Sequence, residues 1–353
     1  MLLGIASGDW LSPHKAHDGN EHWGGSGWAR IGQYVPSLPM AAAIGVLVWN
    51  RDHFSIADQW GNHYDPDVIL MQRLMHKGIA ENIVDAQKYG QKIINDVDDW
   101  YWGLSTQNHA FHVNHPKRNL TENIDFYKHS LNKSDLIITS TPYLADRLRS
   151  ITKAPIEVLQ NTIDLSRFTT KQHTDSTSPI VGWVGSTIHR SGDLETMKGI
   201  LGPMVKDNRI RLYHGGAMPG APTFAQKIGV SDDDVTVAPL CPSEKYPELL
   251  TMDIGIVPLS AIPFNRAKSD IKGLEYAASG IPFIAQNLDA YIELQQSLGV
   301  GRVAKNPSKW IRHINELRNP NVRAEEGARV KKEIESRDIK YGAQRLVDIL
   351  TNL

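Results

Sequence analysis

The chain has one cysteine, Cys241, in 353 residues. It can close no disulfide within itself, which fits a reducing compartment. Long apolar runs are missing too: the longest, Met40 to Trp49, is too short to cross a bilayer and reads as a buried strand. Charge of one sign is not in excess. The net charge of −1 argues against a broad grip on a nucleic-acid backbone and leaves room only for a local basic groove. The first residues, M-L-L-G-I-A-S-G-D-W, carry neither a basic n-region nor a long apolar h-region. No signal peptide is therefore expected, and a cytoplasmic location is. The dinucleotide fingerprint G-x-G-x-x-G is absent, which disfavours hydride chemistry.

What is present is an ordinary globular composition, 41% apolar and 22% charged, long enough for a large core and for two domains. Short apolar runs alternate with helical stretches, the pattern of parallel β/α units. A first series of strands is expected at Leu2–Ala6, Ala42–Trp49, Val68–Met71, Lys92–Asp96, Leu136–Thr139 and Ile156–Leu159, with a helix over Trp28–Val35 started by the glycine-rich turn W-G-G-S-G. Asn161 to Ser178 is polar, holds no long apolar run and reads as an interdomain linker. A second series follows at Ile180–Val184, Ile210–Tyr213, Val235–Ala238, Ile254–Val257 and Phe283–Ala285. Charged amphipathic helices are expected at Glu325–Ile334 and Ala343–Leu350.

The most informative segment runs from Phe264 to Ala285, F-N-R-A-K-S-D-I-K-G-L-E-Y-A-A-S-G-I-P-F-I-A. It follows the strand-like D-I-G-I-V-P-L (253–259). Ligands of open α/β sheets sit outside the carboxyl ends of strands, and helix N-termini favour anions. Lys268, Ser269 and nearby backbone N–H groups thus offer a phosphate site. Glu275, a helical turn or so later, can accept hydrogen bonds from sugar hydroxyls. A phosphate reader beside a hydroxyl reader suits a nucleotide-sugar. A second cradle lies in V-G-W-V-G-S-T-I-H-R (181–190), where a strand ends in Gly-x-x-Gly-Ser and small residues let backbone approach phosphate.

These motifs resemble the donor site of group-1 glycosyltransferases, the retaining, glycogen-synthase-like enzymes of the GT-B fold. The resemblance is specific over about Pro179 to Ile292 and thin before it. It implies an α/β chain of two Rossmann-like β/α/β domains facing a central cleft. The N-terminal acceptor domain would span 1–165, joined by a final helix (340–353) that crosses back, and the donor domain 166–339. Glu275, before Gly280-Ile281-Pro282, matches the glutamate that binds the donor ribose. The family's usual E-x7-E pair would place its first glutamate at Ala267, so this chain departs from it and fits the A-K-S-x-x-K-x-x-E version instead. By the same resemblance Gly25, Gly185, Ser186, Cys241, Ser269, Ile271 and Glu275 bind the donor. Cys241 lies in the loop L-C-P-S (240–243) that meets the nucleobase through backbone groups. Lys268, Arg190 and His109 take the catalytic positions, with Lys268 and Arg190 sharing the diphosphate.

The first domain carries ten of the fourteen histidines and seven of the nine tryptophans. Asp98 and Asp99 end a strand in I-I-N-D-V-D-D-W, where carboxylates can bind acceptor hydroxyls or, as in the Asp-x-Asp of another fold, a metal. His14, His17, His109, His112 and His115 have spacings that can ligate zinc. Pro116 breaks any helix in A-F-H-V-N-H-P, so a polar acceptor-facing loop is the preferred reading and no metal or other cofactor is expected. Trp23 and Trp100 flank the glycine loop and the acidic pair and are the preferred aromatic acceptor contacts. Trp49 reads as core.

The reading is a metal-independent glycosyltransferase that moves a sugar from a nucleotide diphosphate to an acceptor hydroxyl with retention. D-V-D-D-W and S-T-P-Y-L-A (140–145) give the first domain a likeness to bacteriophage-encoded members. A modified DNA base, a virion protein and a glycan or glycolipid all stay open as acceptor. A nucleotide-sugar 2-epimerase of the same fold and a non-catalytic nucleotide-sugar-binding protein are the alternatives.

Overall fold

In a computed structural model of the chain, residues 1–11, 20–188 and 192–353 are described. They divide into two compact units, Met1–Thr162 with Ile339–Leu353, and Ile163–Asp338.

The first unit is built on a parallel sheet of β1 (Leu2–Ser7), β2 (Ala41–Ile44), β3 (Val68–Gln72), β4 (Lys92–Val97), β5 (Leu136–Thr139) and β6 (Ile156–Val158), in the order β6-β5-β4-β3-β1-β2. Side chains alternate across it. Leu3, Ile5, Leu70 and Ile94 enter one core, and Ile69, Met71 and Ile93 the other. The C-terminal helix Ile339–Thr351 closes the first of these cores with Ala343, Leu346, Ile349 and Leu350.

The second unit repeats the plan with β7 (Ile180–Val184), β8 (Arg211–Ala217), β9 (Val235–Pro239), β10 (Ile254–Val257), β11 (Phe283–Gln286) and β12 (Arg302–Ala304), ordered β9-β8-β7-β10-β11-β12. Ile254 and Ile256 face one core and Val257 the other, so helices cover both faces. The strand order reverses between β1 and β3 in the first sheet and between β7 and β10 in the second. Open α/β sheets bind ligands outside the strand ends at such points.

Four expectations change. Met40–Trp49 is not one buried strand. It breaks at Gly45, where an added Cβ would lie 2.1 Å from the Ala57 carbonyl oxygen. Beyond it Val46–Asn50 joins an antiparallel sheet with His53–Ala57 and His63–Tyr64, and Val46 is exposed. Trp49 packs only partly buried against the core. Trp28–Val35 is not a regular helix: a π-helical turn over Trp28–Gly32 gives way to a 3-10 turn at Val35–Ser37, with Gln33 N–H donating to the Trp28 carbonyl. Gly32 lies there against the Trp23 ring with no room for a Cβ. The polar stretch read as a linker, Asn161–Ser178, is packed. Ile163 and Phe168 are core residues of the second unit, and Lys171 N–H donates to the Ser279 carbonyl at 2.8 Å. Finally, A-F-H-V-N-H-P does hold a helical turn, His109–Val113, capped by Asn108 and finished before Pro116.

Candidate functional site

At the reversal point of the second sheet, β7 delivers the chain into Gly185 with φ +150°. A Cβ on Gly185 would lie 3.0 Å from the Trp183 ring, so glycine is required by both conformation and space. The Gly185 carbonyl accepts a hydrogen bond from His214 Nε2 at 2.9 Å. His214 packs against both Trp183 and Phe224, which also contact each other, and burial pushes its pKa down, so it serves as a neutral donor. The half-buried Ser186 hydroxyl donates to Met218 Sδ at 3.4 Å and accepts from Ile188 N–H.

From the other side of the reversal point comes the helix Ile271–Ala278. Lys272 Nζ donates to the carbonyl of Val184, the last residue of β7, and to the Tyr246 hydroxyl at 3.3 Å. One turn later Glu275 takes a hydrogen bond from the same Tyr246 phenol. Burial raises the Glu275 pKa, against the opposing pull of Lys272, Tyr246 and Arg167. Burial also lifts the Tyr246 phenol well above its ordinary value. Arg167 grips the Ser243 and Glu244 carbonyls and so fixes the segment after Cys241. Cys241 itself is half-buried with its thiol pKa raised by burial.

The loops after β7 and β10 are tied together by one buried carboxylate. Asp193 accepts from Ser260 N–H at 2.9 Å, Ser260 Oγ at 2.8 Å and Asn265 Nδ2 at 2.6 Å. The Asn265 carbonyl in turn accepts from Lys268 N–H at 3.2 Å. Lys268 Nζ stands 4.3 Å over the Phe264 ring, a cation–π contact. Asp270, at the helix start, is held by Arg337 through two 2.9 Å bonds.

At the reversal point of the first sheet, Asp9 follows β1 and Arg73 follows β3. The Asp9 carboxylate accepts from Gly27 N–H at 2.7 Å and its carbonyl from Gly24 N–H at 2.7 Å, which sets the glycine-rich turn. Arg73 has φ +56° and gathers Ser26, Asp98 and Asp99 at 2.7, 2.6 and 3.1 Å. Beneath them Arg30 forks onto Asp96 and reaches the Asn161 side chain, with both charges buried.

No known protein-family profile matches the chain, and no curated protein sequence matches it. Solved structures do. Sucrose-phosphate synthase from Thermosynechococcus elongatus superimposes with a TM-score of 0.66 at 14% identity, over 100% of this chain and 98% of that one. HepE of Anabaena, solved with UDP and glucose, gives 0.66 at 12% identity, over 100% of both chains. A glycosyltransferase from Rickettsia africae gives 0.65 at 12%, over 99% and 97%. The chain has the GT-B fold.

Within this GT-B chain the structure gathers Gly185, Ser186 and Glu275 around one reversal point, with Lys268 joined through Asn265. Ser269 precedes the helix start at Asp270, and Ile271 lies half-buried against the core. Ala267 is fully buried. Arg190, His14 and His17 lie outside the described residues. In the first unit Gly25 is exposed, and an added Cβ there meets nothing within 4 Å. His109 is exposed at the start of its short helix. Asp98 and Asp99 come together, bound to Arg73.

Two tryptophans are corrected. Trp23 and Trp100 are each only 4% exposed. Trp23 is enclosed by Leu3, Ile5 and Ile31, and Trp100 by Trp102 and the Arg147 guanidinium, so neither ring is open to an acceptor. Among the described residues no group of three or more His, Cys, Asp or Glu is arranged to hold a metal, and no helix is long and apolar enough to cross a membrane.

Sequence reasoning left out Arg167, Asp193, His214, Tyr246, Arg73 and Asp9. Arg167 stood in the supposed linker, and the others make bonds to residues distant in sequence. Lys272 alone had a local signal, its i,i+3 spacing to Glu275 on one helical face.

Proposed function

We propose that the chain is a glycosyltransferase that takes a sugar from a nucleoside diphosphate donor and places it on an acceptor hydroxyl with retention. The observation that carries this reading is Glu275, a half-buried carboxylate one turn beyond Lys272, sharing Tyr246 with it at the reversal point that also presents Gly185. Glu275 accepts the ribose hydroxyls. Gly185 and Ser186 line the diphosphate, and Lys268 meets the charge that grows on it as the glycosidic bond breaks. No protein carboxylate then has to act as a covalent nucleophile. Asp98 and Asp99, held by Arg73, receive the acceptor hydroxyls in the first unit. The reaction proceeds without a metal, in the cytoplasm. The acceptor is a modified DNA base, a virion protein or a glycan; a phage origin makes the first two natural.

The test is twofold. Calorimetry with UDP, GDP and ADP should show one nucleotide binding at least tenfold more tightly than the others. Incubation with the matching sugar donors should then release nucleoside diphosphate, slowly with water as acceptor. The absence of nucleotide binding overturns the reading.

A second reading rests on Ala267. It is buried and brings no carboxylate to the position where the enzymes this chain resembles usually carry one, which favours a protein that binds the nucleotide-sugar without turning it over. Tight donor binding with no release of diphosphate would establish it. Conversion of the donor to its 2-epimer would point to the epimerase instead.

A further inference from the structure

A groove of about 380 Å³ runs along the edge of the first sheet, on its edge strand β2. This is the size of a small-molecule site. Its floor is β2, Ala41-Ala42-Ala43-Ile44, whose methyl groups leave the depth open. β2 is the edge strand, so one row of its backbone N–H and C=O groups has no strand partner among the described residues. Trp10, Trp60 and Tyr64 form the walls.

Trp60 is 74% exposed. A ring this large is costly to leave in water, and the turn that carries it is not loose. The Asp58 carboxylate accepts from Trp60 N–H at 2.8 Å, Asn62 N–H at 2.9 Å, Asn62 Nδ2 at 2.9 Å and the Tyr64 hydroxyl at 3.1 Å. These bonds depress the Asp58 pKa, so the brace persists at neutral pH. The backbone that carries the indole is thus held in place, which lowers the ordering cost on binding. The Glu21 carboxylate, also in the lining, accepts from Trp10 Nε1 at 3.4 Å and has further acceptor lone pairs.

We infer that this groove is a non-catalytic binding site for a neutral saccharide. Pyranose rings offer flat C–H faces that stack on an indole, and rims of hydroxyls that donate to carboxylates and to unpaired backbone carbonyls. Among the described residues the lining carries two carboxylates and no Lys, Arg or His, a balance that disfavours phosphates, nucleic acids and acidic glycans. A peptide strand added to β2 would need pockets for alternate side chains, and a row of alanines supplies none. The inference stands on the groove alone and does not depend on the donor chemistry proposed above.

Saturation-transfer NMR on the full chain with maltotriose, cellotriose and chitotriose, in the absence of nucleotide, tests it. At least one trisaccharide should bind. Trp60→Ala should weaken it about tenfold, the scale of losing one aromatic stacking face. Trp60→Phe should keep part of the affinity, and UDP titrations of all variants should be unchanged. Binding of none of the three sugars, or equal binding by the Trp60→Ala protein, overturns the inference. A wild-type protein that binds sugar but not UDP would overturn the proposed function and leave this site standing.

Discussion

Arg73 and Asp98 form a forked ion pair, Nη2 to Oδ2 at 2.6 Å and Nε to Oδ1 at 3.1 Å, at the reversal point of the first sheet. Neighbouring carboxylates Asp99 and Asp9 stand 3.1 and 3.9 Å from the same guanidinium. Three acidic groups share one cation, so Arg73 is the group whose loss leaves most charge uncompensated. Arg73→Met should destabilise the protein by about 3 kcal/mol, the usual scale for breaking a largely buried pair from one side. Urea denaturation at neutral pH reads this directly. A change below about 1 kcal/mol would show that water already screens the cluster.

Glu275 sets stability against binding. Burial raises its pKa above the ordinary 4.5, so ionising it costs folding energy. The sign follows from linkage: stability is fully present below pH 4.5 and declines as pH rises through the raised folded-state value. Glu275→Gln removes that decline. At pH 7 the variant should melt higher than the wild type and bind the nucleotide donor about tenfold more weakly, the scale of losing a charge-assisted hydrogen bond. Differential scanning calorimetry and nucleotide titration check the two halves. A variant that melts lower, or binds equally, contradicts the role given to this carboxylate.

His53 provides an opposite pair of titrations. Its pKa is raised by the hydrogen bond to Asp52 and by Asp65, while Tyr89 stacks on its ring. The Asp65 pKa is lowered by the Ser55 hydroxyl and by His53. The histidine's contribution is complete below its ordinary 6.5 and is lost as pH climbs through the raised value; the aspartate's is complete above 3.8 and is lost as pH falls. The cluster therefore stabilises most between about pH 4 and 6.5. In His53→Gln the stability difference from wild type should be largest at pH 5.5 and shrink by pH 8.5. A difference independent of pH would assign His53 a packing role only.

The strands that were legible in the sequence are those whose signal is local. Leu136–Thr139, Ile180–Val184 and Ile254–Val257 are short apolar runs rich in β-branched residues, and the structure places strands at those bounds. The break at Gly45 was invisible because its cause, the Ala57 carbonyl, lies on another strand. Trp23 and Trp100 misled for the same reason. An aromatic beside a glycine turn or an acidic pair looks available until the helices that cover it are placed. Around Glu275 the helix and its Lys272 partner could be read from spacing. Tyr246 and Arg167 could not, since both reach the site from segments with no periodicity.

Lys268 tests how the diphosphate is handled. It follows Asn265, whose amide is held by Asp193 and whose carbonyl accepts the Lys268 N–H, so its backbone is fixed while its ammonium stands over the Phe264 ring. If it meets charge that develops during bond cleavage, Lys268→Ala should lower turnover about a hundredfold, as for removal of one transition-state donor. Affinity for the nucleoside monophosphate should change far less, since a group that acts on the transition state contributes little to ground-state binding. Equal losses in the two measurements would make Lys268 a simple anion contact. The same assay repeated in EDTA addresses the metal. With Lys268 and helix N–H groups supplying the charge stabilisation, wild-type activity should be retained after chelation. Activity abolished by EDTA and restored by manganese or magnesium would make a metal part of the site, and Asp98 and Asp99 would then be the first ligands to test by substitution with asparagine.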